Sequence, residues 1–175
     1  MEIRQFSQLK STNLKAKELA SKGLEPWTVI VAEKQTAGYG RKGSGWFSPK
    51  GGLYFSVILP KSQIEDLQTI TILAAFIVAK VIKEKFKLEP FIKLPNDVWV
   101  NGKKIAGILT ENIIGSEVKL SVMGIGLNTN IEKFKEELEN SATSLRIEVG
   151  KKVDNEKIMV EIVEGLKRQL KSISE

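Results

Sequence analysis

The 175-residue sequence contains no cysteine and no histidine. Those absences exclude Ser-His-Asp and Cys-His nucleophiles, zinc sites built on Cys or His, and any disulfide framework. Chemistry must run on Lys, Arg, Asp, Glu, Ser, Thr, Tyr, backbone amides or a bound ligand. A chain without cysteine suits a reducing compartment, and cytoplasm is the expected location. Long apolar runs are missing as well. The longest, Ile70 to Ile82, is broken by Lys80 and is shorter than the roughly 18–20 residues of a membrane span. It reads as a buried helix, no membrane partner is expected, and the opening residues hold no stretch of signal-peptide type.

What is present is ordinary for a folded protein, with 42% hydrophobic and 27% charged residues. The length suits one domain, since compact domains run roughly 100–200 residues, and neither a repeat nor a Pro/Gly/Ser linker divides it. The net charge is +6, from 27 Lys+Arg against 21 Asp+Glu. Such a balance attracts nucleic acid or other anions when the cations cluster. Here they are scattered and alternate with glutamates, as in Lys83-Glu84-Lys85 and Glu132 to Glu136, which is the pattern of solvated helix faces.

Turn chemistry and periodicity divide the chain into elements. Ser11-Thr12-Asn13 supplies N-cap candidates for a helix through Ala20, with Gly23 as its stop. Trp27 to Glu33 and Leu53 to Leu59 read as strands on either side of a polar, glycine-dense loop from Lys34 to Gly51. A helix follows over Gln63 to Phe86, then a short strand from Phe91 to Leu94. Val98 to Val100 and Lys104 to Asn112 flank Asn101-Gly102, a strong hairpin signal. Glu117 to Ile125 follows the Gly115-Ser116 turn as a further strand. A last helix begins at an Asp154 cap, with Ile158, Ile162, Leu166, Leu170 and Ile173 spaced for one buried face. The predicted class is α+β, a mostly antiparallel sheet with helices packed on it.

Three clusters could carry chemistry. Gly38-Tyr39-Gly40-Arg41-Lys42-Gly43 matches G-x-G-x-x-G after a strand, but Ser44 to Pro49 cannot open the helix that a dinucleotide fold requires, and no acidic residue ends a second parallel strand about 20 residues on. A kinase loop fails because the chain has no histidine for the catalytic loop. The glycines nevertheless let backbone N–H groups converge on an oxyanion, with Arg41 and Lys42 adding charge. Trp46 is either a core residue or a platform for a base. The second cluster is Lys93-Leu94-Pro95-Asn96-Asp97 with Lys104 beside Gly107. A hairpin lysine is usually only solvated, and Lys104 gains weight from these neighbours. The third is Gly124-Ile125-Gly126-Leu127-Asn128, whose Asn is a turn former or a ligand.

In this order and spacing the clusters resemble the catalytic domain of biotin protein ligases. Ser11-Thr12-Asn13 is similar to that family's S-T-N signature, and Gln35 with Gly38 to Gly43 to its Q-x-x-G-R-G-R-x-G loop. Trp46 to Pro49 and Gly52-Leu53-Tyr54 are similar to W-x-S-P…G-x-L-Y, Lys93 to Asp97 to K-W-P-N-D, Lys103 to Leu109 to K-x-x-G-I-L, and Gly124 to Asn128 to G-x-G-x-N. The resemblance implies a class II synthetase-like fold that forms biotinyl-5′-AMP from biotin and MgATP, then passes biotin to a lysine of a biotin carboxyl carrier domain. No protein nucleophile is needed, which suits a chain without His or Cys.

Carried onto this chain, the resemblance implies that Lys104 and Arg41 are the catalytic cations. Ser11, Thr12, Asn13, Gln35, Gly38, Tyr39, Lys104 and Gly107 would surround biotin. Gly40, Arg41, Lys42, Gly43, Trp46, Lys93, Asn96, Asp97 and Asn128 would hold ATP, with Asp97 near Mg²⁺. Tyr39 stands where the family often has Arg, and Leu94 where it has Trp. One catalytic domain over 1–175 is expected, with room for neither an N-terminal helix-turn-helix nor a C-terminal SH3-like barrel, so DNA is not an expected partner. Exposed sheet edges allow a homodimer. A lipoate or octanoate ligase is the nearest alternative, and a noncatalytic binding module the alternative from another class.

Overall fold

The computed structural model describes residues 1–60, 66–113 and 121–174, with side chains through Ser172. Its centre is a mixed sheet in the order β1-β2-β3-β7-β6-β5-β4. The strands are β1 Ile3–Phe6, β2 Val29–Ala32, β3 Leu53–Leu59, β4 Phe91–Lys93, β5 Asp97–Val100, β6 Lys103–Asn112 and β7 Ser121–Leu127. All neighbours are antiparallel except β1 and β2. The helices are α1 Thr12–Ser21, α2 Leu67–Phe86, α3 Leu145–Val149 and α4 Asn155–Ser174. Among the described residues, none is long and apolar enough to cross a membrane.

All seven residues of β3 are buried, because the strand is covered on both faces. Successive side chains of a strand point to opposite sides, so one face carries Leu53, Phe55, Val57 and Leu59 with Met123, Ile125 and Leu127 of β7. Onto this face pack α2 and α4, the latter through Ile158, Ile162, Val163 and Leu166. Each such side chain contributes roughly 1.5–3 kcal/mol by leaving water. Gly165 lets the two helices approach, since a Cβ there would lie 2.9 Å from Ile77 Cγ2. The opposite face is only partly filled, by α1, whose Ala16 and Ala20 pack on Ile30, Ile58 and Val122. The remainder of that face is open for a site.

The predicted turn chemistry holds at two ends. Asn101 and Gly102 take φ of 49° and 76°, the left-handed pair of a two-residue hairpin turn. Asp154 Oδ1 accepts the Lys157 amide at 3.1 Å and caps α4. Elsewhere boundaries move. Trp27 has φ 67°, which no strand residue adopts, so β2 starts at Val29. Helix α2 starts at Leu67, capped by Asp66, whose Oδ1 accepts from Gln68 N at 2.9 Å, while Gln63 to Glu65 fall outside the described residues. So do the Gly115-Ser116 turn and Glu117 to Leu120 of the strand that becomes β7, and the side chain of Ile173. Ser11 occupies the N-cap position of α1, but its side chain makes no capping hydrogen bond.

Candidate functional site

The open face of the sheet has a floor made by residue pairing. Tyr54 of β3, Gly126 of β7, Gly107 of β6 and Asp97 of β5 stand in one row across four strands, and Ser56, Gly124 and Leu109 in the next. The glycines leave a trough that other side chains enter. A Cβ at Gly124 would collide with Asn13 Oδ1, one at Gly126 with Trp46 Nε1, and one at Gly107 would lie 3.1 Å from Trp46 Cζ3. Trp46 therefore lies flat on bare backbone. Its indole N–H is buried and makes no hydrogen bond among the described residues.

The first turn of α1 forms one wall. Thr12 N donates to Gln35 Oε1 at 2.8 Å, and Gln35 Nε2 donates to Ser48 Oγ at 2.9 Å. Ser56 Oγ donates to Asn13 Oδ1 at 2.6 Å and lies 2.8 Å from the Thr12 hydroxyl. Asn13 Nδ2 donates to Glu111 Oε2 at 2.8 Å. The same carboxylate takes Lys17 Nζ at 2.6 Å and the Tyr39 hydroxyl at 2.9 Å. Burial acts to raise the Glu111 carboxyl, but donation from Lys17, Asn13 and Tyr39 outweighs it and holds the group below its usual value. Burial first, and the Glu111 carboxylate second, push the Tyr39 hydroxyl above its ordinary range, so it stays protonated as a donor.

The glycine loop closes the trough from above. It does not open a helix but folds back as a small hairpin, with Trp46 N bonded to Gly38 O at 2.9 Å and Gly40 N to Ser44 O at 2.7 Å. A 3₁₀ turn, Arg41–Gly43, forms its tip, with Lys42 at φ 54°. Arg41 and Lys42 are exposed and form no ion pair among the described residues.

On the far side, Lys104 Nζ lies 2.7 Å from Asp97 Oδ1 and 5.2 Å from the centre of the Trp46 ring. Asn96 is clamped to the β6 backbone by Nδ2 to Ile108 O at 3.1 Å. Asn128 is 4% exposed and spends Nδ2 on Thr143 O at 3.0 Å, which leaves Oδ1 to accept.

Two cavities meet here. The smaller, about 340 Å³, brings together Ser11, Thr12, Asn13, Gln35, Tyr39 and Gly40 with Arg41, Lys42, Trp46, Asn96, Asp97, Lys104 and Gly107. The larger, about 950 Å³, takes in Gly38 and Asn128 and shares Gln35, Trp46 and Lys104 with the first. Its walls add Trp99, Phe47 and Phe134, the last two with ring centres 6.3 Å apart. Lys93 borders neither cavity and lies 4.8 Å over the Trp99 ring. Gly43, at the loop tip, borders neither as well. Among the described residues no group of three or more Asp or Glu side chains could hold a metal ion, and Asp97 is already engaged by Lys104.

Sequence reasoning missed Glu111, Ser56 and Trp99. The period-2 step from Gly107 through Leu109 places Glu111 on the cleft face of β6, but strand alternation alone does not tell a buried carboxylate from a solvated one.

Fold and cleft together define an α+β domain with two adjoining cavities that share one lysine, Lys104. Residues 5–128 match the biotin/lipoate A/B protein ligase family, and the chain belongs to it. It is 39% identical over 160 residues to the bifunctional ligase/repressor BirA of Bacillus subtilis, covering 89% of this chain and 49% of that protein. It is 33% identical over 159 residues to the biotin–[acetyl-CoA-carboxylase] ligase of Paracoccus denitrificans, covering 85% and 65%. The Aquifex aeolicus biotin protein ligase, solved in complex with biotin and ATP, superposes with a TM-score of 0.88 at 32% identity, over 97% of this chain and 70% of that one. The chain thus spans about half the length of the Bacillus relative.

Proposed function

We propose that this domain activates biotin with ATP and transfers it to a carrier lysine. The observation that carries this reading is the position of Lys104, shared by both cavities and held by Asp97 at 2.7 Å. Biotin occupies the smaller cavity, its ureido ring facing the polar wall of Ser11, Thr12 and Gln35. Adenosine occupies the larger, with Trp46 and the Phe47–Phe134 wall against the base and Asn128 Oδ1 accepting from its amino group. The carboxylate and the α-phosphate then meet at Lys104, with Arg41 and Lys42 above. A carboxylate oxygen attacks phosphorus, the bond to pyrophosphate breaks, and the mixed anhydride forms. A neutral carrier amine next attacks the carbonyl carbon, AMP leaves, and the amine proton passes to solvent.

Holding two reactants in line replaces a bimolecular encounter. Preorganised cations facing the charge of the transition state supply the other part, and one lost donor of this kind costs roughly 10²–10³ in rate. Magnesium enters with the nucleotide, its ligands being mainly phosphate oxygens and water, and Asp97 is the carboxylate of the cleft nearest to where it would lie. The absence of cysteine supports the cytoplasm as its location. The sheet ends in β1 and β4, and a second copy would add to one of these edges to make a homodimer.

The test is intact-mass analysis of a biotin carboxyl carrier domain incubated with the protein, MgATP and equal amounts of biotin and lipoate, with pyrophosphate followed in parallel. A single biotinyl adduct is expected. A lipoyl adduct places the chain with the lipoate ligases, and silence in both channels makes it a binding module.

A further inference from the structure

Glu111 borders neither cavity, yet it touches both the wall and the ceiling of the smaller one. We infer that Glu111 is a positioning residue which latches the glycine loop over the biotin pocket through Tyr39 while it orients the pocket amide of Asn13. This rests on the function proposed above and deepens it.

The chemistry lies in the donor count. Three donors from two separate elements converge on one side chain: Lys17 Nζ and Asn13 Nδ2 from α1, and the Tyr39 hydroxyl from the loop. An ionised carboxylate is acceptor-only at both oxygens and can take all three. An amide cannot, because its N–H₂ face would oppose at least one of them. Since Glu111 can only accept, Asn13 must turn its N–H₂ toward it, which aims Asn13 Oδ1 at Ser56. The Ser56 contact continues to Thr12, and Thr12 to Gln35 and Ser48. One carboxylate behind the pocket thereby sets which way the Asn13 amide and the Ser56 hydroxyl point, while Gln35 is turned by the Thr12 main-chain N–H, which can only donate. On the loop side, Tyr39 lies between Gly38 and Gly40, and the tip beyond carries Arg41 and Lys42. Of the described hydrogen bonds from that loop, Tyr39 to Glu111 is the one by which a loop side chain reaches β6.

The loop tip supplies its own readout, since trypsin cuts after Arg41 and Lys42 only when the loop opens. Limited digestion of the native protein, mapped by mass, is run on wild type, Tyr39→Phe, Glu111→Gln and the double variant, with melting followed in parallel. Each single change is expected to raise cleavage at those two bonds at least tenfold while other sites keep their rates. The double variant should cleave no faster than the faster single variant, because both remove one interaction. Glu18→Gln, which removes α1 ion pairs to Lys15 and Lys22, should leave loop cleavage unchanged. Biotin KM should rise about tenfold in both single variants, with kcat changed less. Unchanged loop cleavage in a folded Tyr39→Phe protein overturns the latch, and so does a uniform rise at every site, which reports global loosening. If loop cleavage responds but biotin binds neither wild type nor variant, the latch stands and the ligase reading falls.

Discussion

Asp97 reaches across the hairpin to hold Lys104, Oδ1 to Nζ at 2.7 Å, and so fixes the one cation that both cavities share. Asp97 pairs with Gly107 in the β5–β6 register, three residues along β6 from the lysine it holds. A long, flexible ammonium is thus given a single address before either reactant arrives.

Lys104→Ala should therefore leave the fold intact and reduce biotin-dependent pyrophosphate release at least a hundredfold, the cost of one lost oxyanion donor. Single-turnover release at saturating MgATP checks it. Near-normal release from a folded variant would sink the assignment.

Gln35→Ala removes the acceptor of the Thr12 amide and the donor to Ser48. An unsatisfied polar group costs roughly 1–3 kcal/mol, so biotin affinity should fall by about five- to hundredfold. Calorimetric titration with biotin measures it, and ATP affinity should move far less.

Gly126→Ala places a methyl group where the Trp46 indole lies. Overpacking of this kind costs roughly 1–3 kcal/mol, and the indole must lift off the sheet. A shift in tryptophan emission together with an ATP affinity at least tenfold weaker is expected. An unchanged spectrum would show that Trp46 does not rest on that backbone.

The Glu111 carboxyl is held below its ordinary value of 4.5 against the opposing effect of burial. Lys17 and Tyr39 are the titratable groups that face it. A depressed carboxyl contributes stability that is present above the unfolded value and lost as pH falls through the folded one. The melting-temperature gap between wild type and Glu111→Gln should be full well above pH 4.5 and should close as the pH is taken lower. A gap that widens toward acid contradicts the ion pair.

Much of the sheet is legible in the sequence because β-branched runs, the Asn101-Gly102 turn and the Asp154 cap each carry a local physical signal. Strand β1 is not, since Ile3 to Phe6 is short, polar in its middle and ordered by parallel pairing with β2. The short α3 escapes for the same reason, being held by Leu145 N on Asn128 O and Arg146 N on Thr129 O. In the site, spaced glycines and lone cations announce themselves as motifs. Glu111 does not, because a glutamate on a strand reads as solvated until α1 and the loop fold over it. Nor does the spacing of Ser11-Thr12-Asn13 show that Asn13 turns inward, which depends on Ser56, 43 residues away in sequence.

The alternation along β3 and β7 separates two kinds of tolerance to change. Leu53, Phe55 and Val57 look into the α2–α4 core, while Tyr54 and Ser56 look toward the cleft, so adjacent codons answer to different demands. Substitutions at the first set should register as lost protein. Tyr54 and Ser56 are buried as well and reach the cleft through what they hold, Tyr54 through Pro49 O and Ser56 through Asn13 and Thr12, so changes there should lower stability and alter the pocket wall together.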